Sequence, residues 1–163
     1  MELYLAEAIK RVKMLNEDIT SLLHDEDNYS IVTYREESEK ITNNYDYANT
    51  RRKVNEISEE ILKIKKAINK ANNEVKIGVG DYTISDGLIK IAMIRNEITY
   101  HLDSMARREK LTSKVDMRND GIIYTETLYD PEICKEYVKS QKELLNIIQM
   151  GIDRANLTTV ISV

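Results

Sequence analysis

Four stretches of the chain repeat hydrophobic residues alternately three and four positions apart, and this pattern predicts long amphipathic helices. We expect them at about residues 2–23, 46–73, 84–110 and 131–155. The first helix shows the pattern in a stripe formed by Leu5, Ala8, Val12, Leu15, Ile19 and Leu22. Such spacing places side chains on one helix face. Because charged residues fill the other faces, each helix is expected to bury one stripe only.

The predicted helix boundaries carry recognisable start signals. Asp46 is the expected N-cap of the second helix, and Thr83 with Asp86 resembles a capping box before the third. Asp130-Pro131-Glu132 is typical of a helix start. Between helices two and three, Gly78-Val79-Gly80-Asp81 predicts a tight hairpin turn. We therefore expect helix three to run back antiparallel to helix two.

Two irregular segments, residues 24–45 and 111–130, separate the other helices. Each contains a strand-like run rich in β-branched and aromatic residues, Tyr29–Tyr34 and Ile122–Thr127, and the second follows a turn at Asn119-Asp120-Gly121. These runs could pair with each other or across a subunit interface. The fold class predicted for residues 1–163 is a single all-α domain, an elongated antiparallel four-helix bundle or coiled coil with short β pieces in its loops.

Composition fits this class and narrows the function. The chain is 32% charged with a net charge of −4, lacks Phe and Trp, and has one cysteine. An acidic balance argues against coating of nucleic acids. No apolar run approaches the ~20 residues of a membrane span, and the first residues do not resemble a signal peptide. We expect a cytoplasmic protein with no membrane partner.

The third predicted helix places an arginine among hydrophobic neighbours. Its stripe is assigned to Leu88, Ile91, Arg95, Ile98, Leu102 and Met105. A buried arginine usually pairs with a carboxylate on a facing helix. Alternatively, the Arg95 guanidinium offers a fork for a phosphate or carboxylate.

In an up-down-up-down bundle, polar residues from three helices would meet at one end. This polar helix-end cluster consists of Asn69, Asn72, Asp86, Asp153 and Asn156. Such residues commonly cap helix ends. A polar ligand pocket is the alternative interpretation.

The opposite end is expected to be basic. Residues 107–118 contain five cations and only two anions, and the start of helix two adds further cations. A solvated helix end explains such residues through the helix dipole. The alternative is an anion site, with Tyr124 or Tyr34 able to stack on a base. The candidate ligand-binding residues are Arg51, Arg52, Arg95, Arg107, Arg108, Lys110, Arg118 and Tyr124.

Several short motifs resemble those of the septicolysin-like family of short bacterial and phage proteins. They are Ile68-Asn69-x-x-Asn72, Ile84-Ser85-Asp86-x-Leu88, Arg95 and Asp153-x-x-Asn156-x-Thr158. The resemblance covers most of the chain from about Asp46 onward. It implies a helical coiled-coil protein that assembles into homo-oligomers, with no activity established for the family.

Catalytic motifs are not apparent. The sequence has no glycine-rich phosphate loop, no GxSxG and no HExxH, and we expect neither enzymatic activity nor a cofactor or metal. The function predicted is a non-enzymatic homo-oligomer that captures a small anionic ligand, for example a nucleotide, at the basic helix-end and loop site. The alternative is a coiled-coil adaptor or structural protein that acts through protein–protein contacts.

Overall fold

The computed structural model describes residues 1–41, 43–118 and 120–163, and helices predominate among them. Two short antiparallel strand pairs complete the secondary structure. The mainly helical class with short β pieces is thus confirmed. Contacts divide the chain into unit 1, Met1–Val75 with Ala155–Val163, and unit 2, Lys76–Arg154. The single domain and the four-helix bundle stay predictions.

Unit 1 is built on two antiparallel helices, α1 (Leu5–Tyr29) and α2 (Tyr47–Glu74). Arg11 near the start of α1 pairs with Glu60 in α2 at 2.6 Å, whereas Glu26 near the end of α1 pairs with Arg51 near the start of α2. The buried residues of the two helices are Leu5, Ala8, Leu15, Ile61, Ile64 and Ala71. The three residues of α1 belong to the stripe predicted for the first helix. The Asp46 cap is also confirmed, because its carboxylate accepts a hydrogen bond from the Asn49 N–H at 3.1 Å.

A small sheet that the sequence pattern did not indicate completes unit 1. Strand β1 (Glu2–Tyr4) pairs antiparallel with β4 (Val160–Ser162), with Leu3 opposite Ile161. Ile161 is buried. Strands of three residues leave too short a pattern to be recognised beside long helices.

Helix α1 continues six residues beyond the predicted end at Leu23, to Tyr29. Three of the added residues, Asp25, Glu26 and Asp27, are acidic, and acidic side chains near a helix C-terminus oppose the helix dipole. A tertiary contact compensates, since Glu26 on this last part faces Arg51. The predicted strand at Tyr29–Tyr34 is wrong: residues 31–34 are exposed and unpaired with any described strand.

Unit 2 begins with a turn and a helix that the sequence predicted well. Lys76 bridges Thr83, and Gly78 and Gly80 adopt φ values of +73° and +54°, which glycine tolerates without a Cβ clash. The capping box is confirmed, since Thr83 Oγ1 accepts from the Asp86 N–H at 3.1 Å and Asp86 accepts from the Thr83 N–H at 2.9 Å.

The third predicted helix is divided by a π-helical turn. It consists of α3 (Ile84–Glu97), a π turn (Ile98–Leu102) and α4 (Asp103–Ala106), and so ends four residues before the predicted Lys110. Strands β2 (Leu111–Asp116) and β3 (Gly121–Glu126) follow as a hairpin. The predicted turn at Asn119-Asp120-Gly121 includes Asn119, which lies outside the described residues.

Helix α5 (Pro131–Thr158) starts at the predicted proline. Asp130 Oδ1 accepts from the Glu132 N–H at 2.9 Å, which confirms Asp130 as the start signal. Val138 of α5 packs in a buried cluster with residues of the preceding helices, namely Ile94, Ile98, Leu102 and Ala106. Gly151 of α5 approaches the first turn of unit 2 closely, because a Cβ there would lie 2.7 Å from the Ile77 carbonyl oxygen.

The predicted position of Arg95 in the buried stripe is wrong. Arg95 is exposed, whereas Ile94 is only 2% exposed. The buried positions Ile94, Ile98, Leu102 and Ala106 are four apart, a spacing that drifts around a regular α-helix by about 40° per step. The wider π turn corrects this drift and keeps all four residues in the core.

Candidate functional site

The β2–β3 hairpin has one apolar and one polar face. Paired residues share a face, and the register runs from Leu111 opposite Glu126 to Asp116 opposite Gly121. One face, which we call the apolar hairpin face, presents Leu111, Val115, Ile122 and Tyr124, with Ser113 and Glu126 beside them. The other face presents Thr112, Lys114, Asp116, Ile123 and Thr125.

The apolar hairpin face is open to solvent. Its four hydrophobic side chains are between 56% and 71% exposed. Within the described part of the chain, β2 and β3 form a two-stranded sheet and pair with no third strand. An isolated two-stranded hairpin is marginally stable in water, and contiguous exposed apolar residues mark interaction surfaces. The hairpin therefore has the chemistry of a contact surface.

Lys110 anchors the base of this hairpin. Its Nζ donates to the carbonyl oxygens of Thr127 at 2.9 Å and Tyr129 at 3.1 Å. The Thr127 N–H donates to the Lys110 carbonyl at 3.0 Å. The Tyr129 hydroxyl in turn donates to the Met105 carbonyl at 2.9 Å, which ties the segment to α4. The ammonium of Lys110, a predicted ligand-binding group, is thus engaged in positioning the hairpin.

A cavity of about 300 Å³ lies beside this base. Its lining includes four cations, Arg107, Arg108, Lys110 and Lys135, and we call these four residues the basic cluster. Three acids, Glu109, Asp130 and Glu132, line it as well. The structure therefore brings three predicted ligand-binding residues together. It adds Lys135, which was not predicted because it lies on α5, distant in the sequence from the run of cations between Arg107 and Arg118.

The cations of the basic cluster differ in how far they are already paired. Arg107 lies 3.7 Å from Asp103, and Lys135 lies 2.5 Å from Glu132. Within the described residues Arg108 has no ion pair or side-chain hydrogen bond. Arg108 is consequently the cation most available to a ligand.

Arg118 and Tyr124 do not line this cavity. Arg118 lies in the turn of the hairpin, where its N–H donates to Asp116 Oδ1 at 3.0 Å. Six strand residues separate the turn from the base, about 20 Å at ~3.3 Å per residue. Tyr124 belongs to the apolar hairpin face. These two predicted site residues thus serve other parts of the hairpin.

Arg51 of unit 1 belongs to a polar network that sequence reasoning missed. The guanidinium pairs with Glu26, and the Tyr45 hydroxyl donates to Glu26 Oε1 at 2.6 Å. The hydrogen bond to the Glu26 carboxylate is the main reason that the pKa of Tyr45 rises to about 12. We call Glu26, Tyr45 and Arg51 the Glu26 network. Its acidic member lies in His24-Asp25-Glu26-Asp27, a run that by itself indicates only a solvated segment.

The Glu26 network adjoins a cavity of about 350 Å³ in unit 1, lined by Leu22, Asp25, Glu26, Tyr29, Asn43, Asn44, Tyr45 and Thr50. Arg52, the neighbouring predicted residue, instead contacts Glu56 at 3.0 Å and Asn49 at 2.8 Å on its own helix. The predicted grouping of Arg51 and Arg52 with the cations of unit 2 stays a prediction.

The polar helix-end cluster is divided between the two units. Asp86 serves the capping box, and its hydrogen bonds with Thr83 hold the pKa of the carboxyl below its ordinary value. Asp153 accepts from Gln149 Nε2 at 2.9 Å along α5. In unit 1, Asn69 is exposed and Asn72 half-buried. Asn156 Oδ1 is buried with no hydrogen-bond partner among the described residues. The capping interpretation is thus confirmed for Asp86.

The described residues show neither a metal-binding group nor a membrane-spanning helix. No group of three or more His, Cys, Asp or Glu side chains is arranged to hold a metal ion within residues 1–41, 43–118 and 120–163. None of the helices that the structure describes combines the length and the apolarity that crossing a membrane requires.

No protein-family model matches the chain. No curated protein matches it either. The chain is similar to a crystal structure of a functionally unknown conserved protein from Corynebacterium diphtheriae, with a TM-score of 0.70 and 17% identity. The similarity covers 99% of this chain and 100% of the other. It supports the fold alone, and membership of the septicolysin-like family stays a prediction.

Proposed function

We propose that this protein is a non-enzymatic homo-oligomer that acts through protein–protein contacts made by the β2–β3 hairpin. The observation that supports this proposal is the apolar hairpin face. Four hydrophobic side chains share one face of a hairpin whose other face is mainly polar, and each is more than half exposed. Alternation of this kind is the pattern of a strand with one buried face. In a single chain the pattern has no partner among the described residues.

The energy available from this face is appropriate for association. Full burial of a large hydrophobic side chain contributes roughly 1.5–3 kcal/mol. Because the four side chains are partly covered already, burying them completely would contribute roughly 5 kcal/mol per chain. Two chains together would contribute about 10 kcal/mol, compared with about 4–15 kcal/mol lost in freedom of motion on association. Side-chain burial alone thus supports weak association.

Sedimentation velocity tests this proposal with a matched pair of variants. Ile122 and Ile123 are neighbours in β3 and lie on opposite faces of the hairpin. We expect Ile122→Thr to lower the average molar mass at about 20 µM or to raise the dissociation constant at least tenfold. The same substitution at Ile123 should leave the mass unchanged. Equal masses for wild type and both variants, or a wild-type protein with the mass of one chain, would exclude the proposal.

A second candidate function, capture of a small anion, is favoured by the basic cluster. Its ~300 Å³ cavity is at the lower limit of small-molecule sites, so it fits a phosphate or carboxylate group of a ligand better than a whole nucleotide. Arg108 would supply a bidentate donor. The three acids in the same lining weaken the attraction, and we therefore place this function second.

Calorimetric titration with inorganic phosphate and with ATP tests the capture of anions. Binding to the wild type should fall at least tenfold in Arg108→Ala. Lys139→Ala removes an exposed cation of α5 that lies outside the cavity, and this variant should bind as the wild type does. No heat of binding, or equal losses in both variants, would remove this candidate.

A further inference from the structure

The outer edge of β2 carries unpaired backbone groups in a defined order. The Lys110 carbonyl accepts from the Thr127 N–H, so Lys110 directs its backbone groups toward the opposite strand. Successive residues of a strand direct these groups to opposite sides. Thr112, Lys114 and Asp116 therefore face β3. The N–H and C=O groups of Leu111, Ser113 and Val115 consequently point away from β3, at an edge with no paired strand among the described residues.

An exposed edge of this kind is a template for another strand. A second copy of the chain can pair with it antiparallel about a two-fold axis, and the centre of symmetry fixes which residues meet. The axis must pass through a residue and not between two residues. An axis through a residue pairs positions of the same face, whereas an axis between two residues would pair positions of opposite faces. Thr112, Ser113 and Lys114 are the central candidates.

Charge distinguishes these three centres. A centre at Thr112 would place Lys110 opposite Lys114 of the partner, and a centre at Lys114 would place that lysine opposite itself. Like charges directly opposite are unfavourable. A centre at Ser113 instead places Lys110 opposite Asp116 and Lys114 opposite Thr112. This centre avoids both repulsions and brings opposite charges together twice.

The Ser113 centre also suits the side chains and the backbone. It places Leu111 opposite Val115 of the partner on the apolar hairpin face, with the small Ser113 at the axis. The backbone groups of all three residues point toward the partner strand, so each pair can exchange two hydrogen bonds. The edge of β3 is less suitable: a centre at Tyr124 places Glu126 opposite Ile122, and a centre at Ile123 places Glu126 opposite Asp120.

We propose that a second copy of this chain pairs with the outer edge of β2, antiparallel and centred on Ser113. The result is a four-stranded sheet, β3–β2–β2–β3, with one continuous apolar face. This inference rests on the proposed homo-oligomeric function and specifies one of its contacts. Strand pairing supplies hydrogen bonds between the copies, whereas burial of the four hydrophobic side chains requires a second contact made by the continuous apolar face.

Disulfide cross-linking tests the register. In a Cys134→Ala background, the two copies of Ser113→Cys would have Cα atoms about 5.5 Å apart, within the range of a disulfide. Thr112→Cys is the matched control, because its two copies would lie about 8 Å apart, beyond that range. We expect Ser113→Cys to form the covalent dimer at least tenfold faster than Thr112→Cys under mild oxidation at about 20 µM. Tyr124→Cys reports pairing at the other edge.

The outcomes separate this inference from the proposed function. Faster cross-linking of Ser113→Cys than of both other variants supports the β2 register. Equal rates, or faster cross-linking of Tyr124→Cys, overturn it. The molar mass of the same variants in reducing buffer gives the second measurement. A reduced protein that is oligomeric without preferential Ser113 cross-linking overturns the register alone, whereas a reduced protein with the mass of one chain overturns the proposed function as well.

Discussion

The segments that connect the long helices within each unit satisfy their polar and apolar groups in opposite ways. In unit 1, the described residues of the segment, 30–41 and 43–46, contain no strand, yet polar contacts hold the segment to α1. Asn43 Nδ2 donates to the Tyr29 carbonyl at 2.7 Å, and Tyr45 donates to Glu26 at 2.6 Å. In unit 2, β2 and β3 form a regular hairpin whose apolar face is exposed. The segment without strands thus has its polar groups paired within one chain, whereas the regular hairpin leaves hydrophobic side chains uncovered.

This difference assigns different roles to the two segments. Polar groups at the end of α1 find their partners within unit 1, and the Glu26 network should contribute to the stability of the monomer. The hairpin of unit 2 is anchored at its base by Lys110 but leaves its hydrophobic side chains uncovered. We expect substitutions in the first segment to change stability and substitutions in the second to change association.

Shortening the hairpin should have the largest effect. Lys110 and Thr127 form a hydrogen-bonded pair at the base of the hairpin, so a two-residue Asn-Gly turn can replace residues 111–126. We expect the molar mass to fall to that of one chain, because both the apolar face and the β2 edge are removed. The thermal midpoint should change by only a few degrees, since the core of unit 2 does not include the strands.

A shorter replacement provides the control for that variant. Replacing only residues 117–120 by Asn-Gly keeps both strands, because Asp116 and Gly121 are also paired. This protein should retain the wild-type mass. Retained association after removal of residues 111–126, or loss of cooperative unfolding, would show that the contrast between the two segments is mistaken.

Removing the carboxylate of the Glu26 network should have an intermediate effect on stability. Glu26 and Glu17 both lie on α1 with a cationic partner, but their side chains are 18% and 65% exposed. We expect Glu26→Ala to lower the free energy of unfolding by about 1–3 kcal/mol, since it removes charged hydrogen bonds from a half-buried site. Glu17→Ala should cost less than about 0.5 kcal/mol because an exposed i,i+4 pair contributes little. Urea denaturation measures both, and equal losses would contradict the structural role of Glu26.

The smallest effect is expected in alkaline solution. The pKa of Tyr45 is about 12 in the folded chain, compared with an ordinary value of 10.0. Because the folded pKa is raised, the contribution of this phenol is complete below pH 10 and is lost as the pH rises toward 12. The stability advantage of the wild type over Tyr45→Phe should therefore shrink between pH 10 and pH 12 in urea titrations.

Absorbance at 295 nm supplies a direct control for this titration. The chain has ten tyrosines, and the wild type should show a late-titrating component that is missing in Tyr45→Phe. Identical titration curves for the two proteins would indicate that the Tyr45–Glu26 hydrogen bond does not persist in solution.

Local signals predicted much of this fold. Asp46, Thr83 with Asp86, and Asp130 begin their helices as expected, because capping depends on residues within one turn of each other. The glycine turn at residues 78–80 was recognisable for the same reason. The candidate sites were harder to predict from the sequence. Arg107, Arg108 and Lys110 are close in the sequence and meet in the structure. By contrast, Lys135, Glu26 and Tyr45 reach their sites through tertiary contacts.

Amphipathic periodicity, turn chemistry and capping are short-range properties, and the sequence determined by itself that the chain forms long one-sided helices with a strand-like run after Gly121. The tertiary structure decided the rest. It fixed which face of α3 is buried, with Ile94 in the core and Arg95 exposed, placed a π turn after this helix, extended α1 to Tyr29, and left one face of the hairpin open. Each of these features depends on which distant residues pack together, and a spacing pattern along one helix or strand contains no information about its partner.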